Sequence, residues 1–169
     1  TLYRPWKGGG FADGTEGGEW FSSISADPKT FNQYIAERDA ESAGIINQTL
    51  DSLVDYDNAE KKWFPKAAFF EVETNKKKNT LTVHYTLREN LYWTWYGSDK
   101  KVPVTSDDVV FWYNEIAGDP AFQSSGYSGQ FVSMPDGTSA RIECVKINNR
   151  QFDFVFPRII ADPLLATNM

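Results

Sequence analysis

The stretch Leu81–Ile116, LTVHYTLRENLYWTWYGSDKKVPVTSDDVVFWYNEI, decides how this chain is read. Leu81, Val83, Tyr85 and Leu87 alternate with Thr82, His84, Thr86 and Arg88. A period of two lays one apolar face on a core and turns a polar face outward, so the segment is predicted to be a strand. Tyr92-Trp93-Thr94-Trp95-Tyr96 follows and reads as an aromatic loop, too rich in rings for an ordinary solvated turn. Val104-Thr105-Ser106-Asp107-Asp108-Val109 then carries the signals of a helix start. Thr105 is placed as N-cap and Asp108 at the third helical position, a capping box, with Val104 and Val109 as the hydrophobic staple. Asp107 and Asp108 suit the positive end of the helix dipole. Val109, Trp112, Tyr113 and Ile116 give the apolar stripe, and Gly118 with Pro120 beyond it ends the helix.

Upstream, Thr1–Gly18 is Gly-rich and aperiodic and reads as a loose lead-in. Its Gly8-Gly9-Gly10 lacks the preceding strand and the following Lys-Ser/Thr of a phosphate loop. Trp20–Ser25 is a short strand candidate, and Asp27–Asn32 a turn with extended chain. Asp39 caps a helix whose buried stripe is Ala43, Ile46, Leu50 and Leu53. Leu53–Asp57 leaves it as a strand, Asn58–Lys62 is a polar turn, and Trp63-Phe64-Pro65 re-enters the core. Phe70, Val72 and the Leu81 strand form a hairpin across Asn75–Asn79. Downstream, Asp119–Asp136 reads as a long loop, and loops of that length serve function or move. Ala140–Ile147 and Gln151–Phe156 form a second hairpin across Asn148-Asn149, with Phe152, Phe154 and Phe156 on one face. Ile159–Leu165 starts a helix, and the end at Met169 just beyond it reads as a truncation.

At 169 residues the chain suits one domain, long enough to bury roughly 70% of its unfolded surface. Aromatic content of 15%, from six Trp, eight Tyr and twelve Phe, exceeds what a core alone needs and leaves rings for a binding surface. A net charge of −6, with basic runs only at Lys76–Lys78 and Lys100-Lys101, argues against a nucleic-acid partner. The single Cys144 excludes an internal disulfide and a cysteine metal cluster. No apolar run reaches the length of a membrane helix. No signal peptide is read, so an exported protein would stand here in mature or trimmed form.

No catalytic apparatus emerges. His84, the only His, lies mid-strand on the polar face, as a surface or interstrand side chain. Gly126-Tyr127-Ser128-Gly129-Gln130 misses the nucleophile-elbow spacing by one residue. One His and one Cys do not make a zinc site, and Asp55-x-Asp57 lacks the other ligands of a calcium loop. Asp107-Asp108 and Asp55/Asp57 are explained by cap and turn roles, although a carboxylate pair facing across a cleft would serve sugar hydrolysis. What remains is aromatic. Trp93, Trp95, Tyr96 and Tyr127 are available for a wall that stacks on a ligand; in the competing reading Trp93 is core and Trp95 and Tyr96 cover the sheet.

In order along the chain, Asp27-Pro28-Lys29-Thr30-Phe31-Asn32, Ile46–Tyr56, Pro65–Val72, Leu81–Trp93 with Val102–Ile116, and Ile142–Arg158 resemble the amino-terminal portion of the family 5 extracellular solute-binding proteins. These are the oligopeptide, dipeptide and nickel-binding receptors of ABC importers. The resemblance spans Trp20–Leu165. It departs at Thr94–Lys101, longer than the family's Ser-Asp-Gly, and at Gln33, where the family has a second Pro. The resemblance implies an α+β fold: a mixed β-sheet with two main helices and β-hairpins, part of lobe I of a two-lobed periplasmic-binding-protein-like (type II) architecture. Residues 1–19 would be the lead-in, and 20–169 the N-terminal part of lobe I. It implies no enzyme activity and no cofactor or metal. The ligand would be an oligopeptide or other small solute, held between this lobe and a second one by main-chain pairing and passed to the ABC permease subunits. The protein would be periplasmic or at the cell surface, with or without a lipid anchor. Ile35–Asp39 aligns with a ligand-facing edge, and Phe122–Tyr127 is the next candidate. The expected binding residues are therefore Glu37, Arg38, Asp39, Trp95, Tyr96, Phe122 and Tyr127, with Glu37 or Asp39 meeting a peptide amine. Two other classes stay open: a carbohydrate-binding module, which would be all-β, and a small acid-pair hydrolase.

Overall fold

The computed structural model describes residues 17–19, 21–33, 39–122 and 126–168. The expected lead-in over 1–16, Trp20, and the segment 34–38 with Glu37 and Arg38 lie outside them. The chain forms two compact units, 1–44 and 45–169, which divide within the first helix.

In the first unit, helix α1 (Ala40–Ile46) begins where the sequence places it. The Asp39 carboxylate accepts hydrogen bonds from the Ser42 N–H (3.1 Å) and hydroxyl (2.5 Å), satisfying a donor that the first helical turn would leave bare. Buried Ser42 in turn accepts from the N–H groups of Lys29 and Thr30 at 3.0 and 3.2 Å. This pins the Asp27–Asn32 turn to the helix. Residues 21–25 form no strand, contrary to the sequence reading, and are exposed. Ser25 bonds instead to the Glu41 carboxylate through its N–H and hydroxyl. The helix stops at Ile46 and does not run to Leu53. The N–H and the hydroxyl of Thr49 both donate to the Ile46 carbonyl at 2.8 Å and close the end.

The second unit is built on a four-stranded antiparallel sheet in the order β3–β4–β10–β9. Its strands are β3 (Ala68–Asn75), β4 (Thr80–Leu87), β9 (Glu143–Lys146) and β10 (Gln151–Phe156). The alternation in β4 works as read: Leu81, Val83, Tyr85 and Leu87 are all buried. So are Phe152, Phe154 and Phe156 of β10, and the register sets Phe152 beside Tyr85 and Phe154 beside Val83. Rings interlock there: Tyr85 stacks on Phe152 at 5.3 Å, and Phe154 meets Tyr85, Tyr113 and Phe152 edge-on at 5.8, 5.0 and 6.0 Å.

Two helices cover this face. Helix α2 (Ser106–Phe111) starts on the expected box, with the Asp108 carboxylate accepting from the Thr105 N–H (2.7 Å) and hydroxyl (3.1 Å). Its continuation Trp112–Ile116 widens to a π turn, closed by the Ala117 N–H on the Trp112 carbonyl at 2.8 Å. Tyr113 is buried, and its hydroxyl donates to the Ile142 carbonyl at 3.0 Å. Gly118 follows because a Cβ there would collide with the carbonyls of Tyr113 and Asn114 and with the Arg141 guanidinium. Helix α4 (Pro163–Thr167) begins later than Ile159, since Asp162 caps it by accepting from the Leu165 N–H and Pro163 takes the first helical position.

Three two-stranded ribbons complete the unit: β1 (Val54–Asp57) with β2 (Lys62–Pro65), β5 (Tyr92–Thr94) with β6 (Lys101–Pro103), and β7 (Phe131–Ser133) with β8 (Ser139–Arg141). Trp63 does pack against the core from β2. Two expectations change. The 119–136 loop contains a 3₁₀ turn (Pro120–Phe122), the short helix α3 (Gly126–Gly129) and β7. The strand expected over 140–147 is two: β8 pairs with β7, and β9 with β10. Ile142 separates them, its N–H bonded to the Gln130 carbonyl at 2.7 Å. The architecture is the α+β one expected. Every strand pairing among the described residues is antiparallel, so the mixture is of helices and strands and not of strand directions.

Candidate functional site

The polar face of the four-stranded sheet follows from the same alternation that buries the other. Register aligns Glu71 (β3), His84 (β4), Asp153 (β10) and Val145 (β9) in one row, and Phe69, Thr86 and Gln151 in the next. A cleft of about 420 Å³ opens over these rows, lined by Phe69, Glu71, His84, Ile147, Gln151 and Asp153 among others. Phe69 and Ile147 are exposed at its rim. His84 spans three strands: its Nδ1 lies 2.9 Å from Asp153 Oδ1, and its Nε2 3.3 Å from Glu73 Oε2. The interstrand role read for His84 is thus the one found. Its partners were not legible, because Glu73 and Asp153 lie 11 and 69 residues away in sequence.

Burial works to lower the His84 pKa, but the hydrogen bonds to Asp153 and Glu73 and their charges outweigh it and raise it above 6.5. A raised folded-state value means that the imidazolium stabilises the fold. That contribution is complete below the unfolded value and disappears as pH rises through the folded one. His84→Gln is therefore expected to lower Tm more at pH 5.5 than at pH 8. A gap that is constant or widens with pH would contradict the triad as drawn. Chemically, the cleft offers carboxylates from Glu71 and Asp153 beside one titrating ring, a setting for a cationic group. Among the described residues no cluster of His, Cys, Asp and Glu has metal-site geometry.

Asp39, expected to meet a ligand amine, is occupied by its own helix. Besides Ser42 it pairs with Lys29 Nζ at 3.2 Å, and the Ser42 hydrogen bonds above all hold its carboxyl at about 2. Trp95 and Tyr96 lie in the turn that joins β5 to β6. This hairpin is not core: Trp93, Trp95 and Tyr96 are 42%, 48% and 108% exposed. Phe122 ends the 3₁₀ turn, and Tyr127 in α3 packs its ring on Phe131 at 5.2 Å. Trp95 and Tyr96, Phe122, and Tyr127 thus stand on three elements, and no ring contact described here joins the three.

The acids weighed for hydrolysis have local partners. Asp108 completes the capping box, Asp107 pairs with Lys146 Nζ at 2.7 Å, Asp57 accepts from the N–H groups of Ala59 and Glu60, and Asp55 from that of Tyr56. Cys144 is buried and its thiol is pushed up to about 12, which makes it a core side chain and not a nucleophile.

Comparison with known proteins agrees with this architecture. No protein-family model and no curated protein matches the chain. Among solved structures, the fold matches a dipeptide-binding protein from Pseudoalteromonas sp. SM9913, crystallised with Met-Leu, with a TM-score of 0.52 and 19% identity. The match covers 78% of this chain and 26% of that one, so the chain spans about a quarter of that protein's length. This chain shares its fold with about a quarter of that protein.

Proposed function

We propose that this chain is part of the ligand-capturing lobe of a solute-binding receptor, with a peptide as the solute and an ABC permease as the membrane partner. The observation that supports it is the fold shared with a dipeptide-binding protein over 78% of the chain. The ordered resemblance from Trp20 to Leu165 points the same way. In this reading a second lobe closes over the ligand, and extended protein segments pair with the peptide main chain, which gives affinity with little sequence preference. In this reading the segment 35–39, which aligns with a ligand-facing edge in the resemblance, supplies contacts to the peptide. Recognition of charge there falls to Glu37, Arg38 and Asp39, the last of which also caps its helix. The receptor works outside the cytoplasmic membrane, in a periplasm or at the cell surface.

Because the ligand lies between lobes, these 169 residues alone bind peptide weakly, while a two-lobed protein that carries them binds it tightly. Native mass spectrometry of the two-lobed protein is expected to show co-purified peptides, and calorimetry to give heat with Met-Leu and other short peptides. Retention of an oligosaccharide in place of peptides would overturn the reading. So would tight peptide binding by the 169 residues on their own.

A further inference from the structure

The β5–β6 ribbon has a feature that the core does not require. A two-stranded ribbon by itself is marginal in water, and every residue of both strands of this one is exposed. Trp93 and Val102, paired across it, are 42% and 38% exposed; Tyr92, paired with Pro103, is 44% exposed; Trp95 and Tyr96 beyond are 48% and 108%. Its tip is nevertheless built. The Ser98 N–H bonds to the Trp95 carbonyl at 3.1 Å, the Lys100 N–H to the Ser98 hydroxyl at 3.1 Å, and Gly97 supplies the left-handed turn at φ +70°. An exposed patch of large rings marks a contact surface.

Two lysines say what kind of contact. Lys100 Nζ lies 5.1 Å from the centre of the Trp95 ring, and Lys101 Nζ 5.9 Å from that of Tyr92. Trp and Tyr rings rimmed by Lys heads match the chemistry of the bilayer–water boundary. There amphipathic rings sit at headgroup level, and ammonium groups on flexible stems reach lipid phosphates. We infer that the hairpin Tyr92–Pro103 docks on an anionic phospholipid surface, with Trp95 and Tyr96 seated among the headgroups and Lys100 and Lys101 paired with phosphates. The net charge of −6 does not oppose this. Exposed charges farther than about 8 Å are screened at physiological salt, and the hairpin itself carries Lys100 and Lys101 against the single acid Asp99. Backbone pairing fits too: β5 and β6 satisfy each other, and the tip enters only the polar zone, where water serves the remaining groups. The inference goes beyond the peptide reading and does not depend on it.

Vesicle flotation tests it, with phosphatidylcholine alone and with phosphatidylcholine containing a quarter phosphatidylglycerol. The chain is expected to float with the anionic vesicles and not with the neutral ones. Its tryptophan emission should shift to the blue and be quenched by lipids brominated near the headgroup. Lys100→Glu/Lys101→Glu is expected to weaken binding by at least on the order of tenfold. Trp95→Ala/Tyr96→Ala should remove the binding and the blue shift with an unchanged circular dichroism spectrum, because neither ring is in the core. No binding by the unaltered chain overturns the inference. So does binding that survives either pair of substitutions, since another surface or plain electrostatic adsorption would then be responsible.

Discussion

Phe154→Ala is expected to lower the unfolding free energy by about 4 kcal/mol. Phe154 is fully buried in the central strand pair and meets three other rings edge-on, Tyr85, Tyr113 and Phe152. Truncation removes the apolar area of a whole ring and also empties a space bounded by strands on one side and helix α2 on the other. Those walls are hydrogen-bonded elements that cannot collapse into the gap, so the cavity penalty adds to the transfer penalty. Phe69→Ala on the opposite face is the control. That ring is 53% exposed, and its loss is expected to change stability by only about 0.5 kcal/mol. Urea denaturation compares the two at constant slope. Equal shifts of the midpoint would mean that the sheet is not faced as described.

Gln130→Leu is expected to cost about 3 kcal/mol despite its gain in apolar surface. Gln130 is buried at the end of α3, and each end of its side chain is used. Its Nε2 donates to the Tyr113 carbonyl at 2.8 Å, and its Oε1 accepts from Arg141 Nε at 2.9 Å. Arg141 also donates from Nη2 to the same carbonyl at 3.2 Å and lies over the Tyr113 ring at 5.5 Å. The π turn in α2 is where these bonds converge. Leucine fills the volume but leaves the Arg141 Nε without its acceptor, and an unpaired polar group of a cation is costly in a low-dielectric interior. A double-mutant cycle with Arg141→Met separates this from simple misfit, with an expected coupling of about 1–2 kcal/mol. Additive losses would show that the two side chains do not act as a unit.

Much of this was readable in advance where the interacting groups are close in sequence. The Thr105–Asp108 box, the Asp39 cap and the turn at Asn75–Asn79 involve side chains and backbone three or four residues apart. The faces of β4 and β10 were also legible, because a period of two assigns each side chain to a side whatever the strand pairs with. Reading failed where a competing hydrogen bond ended or divided an element. The stripe through Leu50 and Leu53 looked like one helix, but the Thr49 hydroxyl and N–H end it at Ile46. The run 140–147 looked like one strand, yet the Gln130 carbonyl takes the Ile142 N–H and divides it between two sheets. Trp93 was weighed as core by its chemistry alone, and its exposure follows from the ribbon standing apart from the sheet. The site was less legible than the fold. His84 was placed on the correct face, but the cleft around it exists only because register sets Glu71 and Asp153 in its row.

Local chemistry alone therefore settled which side of β4 and β10 is apolar and where the Asp39 and Thr105 caps fall. These depend on interactions within one turn of chain. Which strands became neighbours, which carboxylates came to surround His84, and which rings stayed in water were left to the packed molecule. Those outcomes depend on register and on groups dozens of residues apart, whose meeting no local pattern encodes.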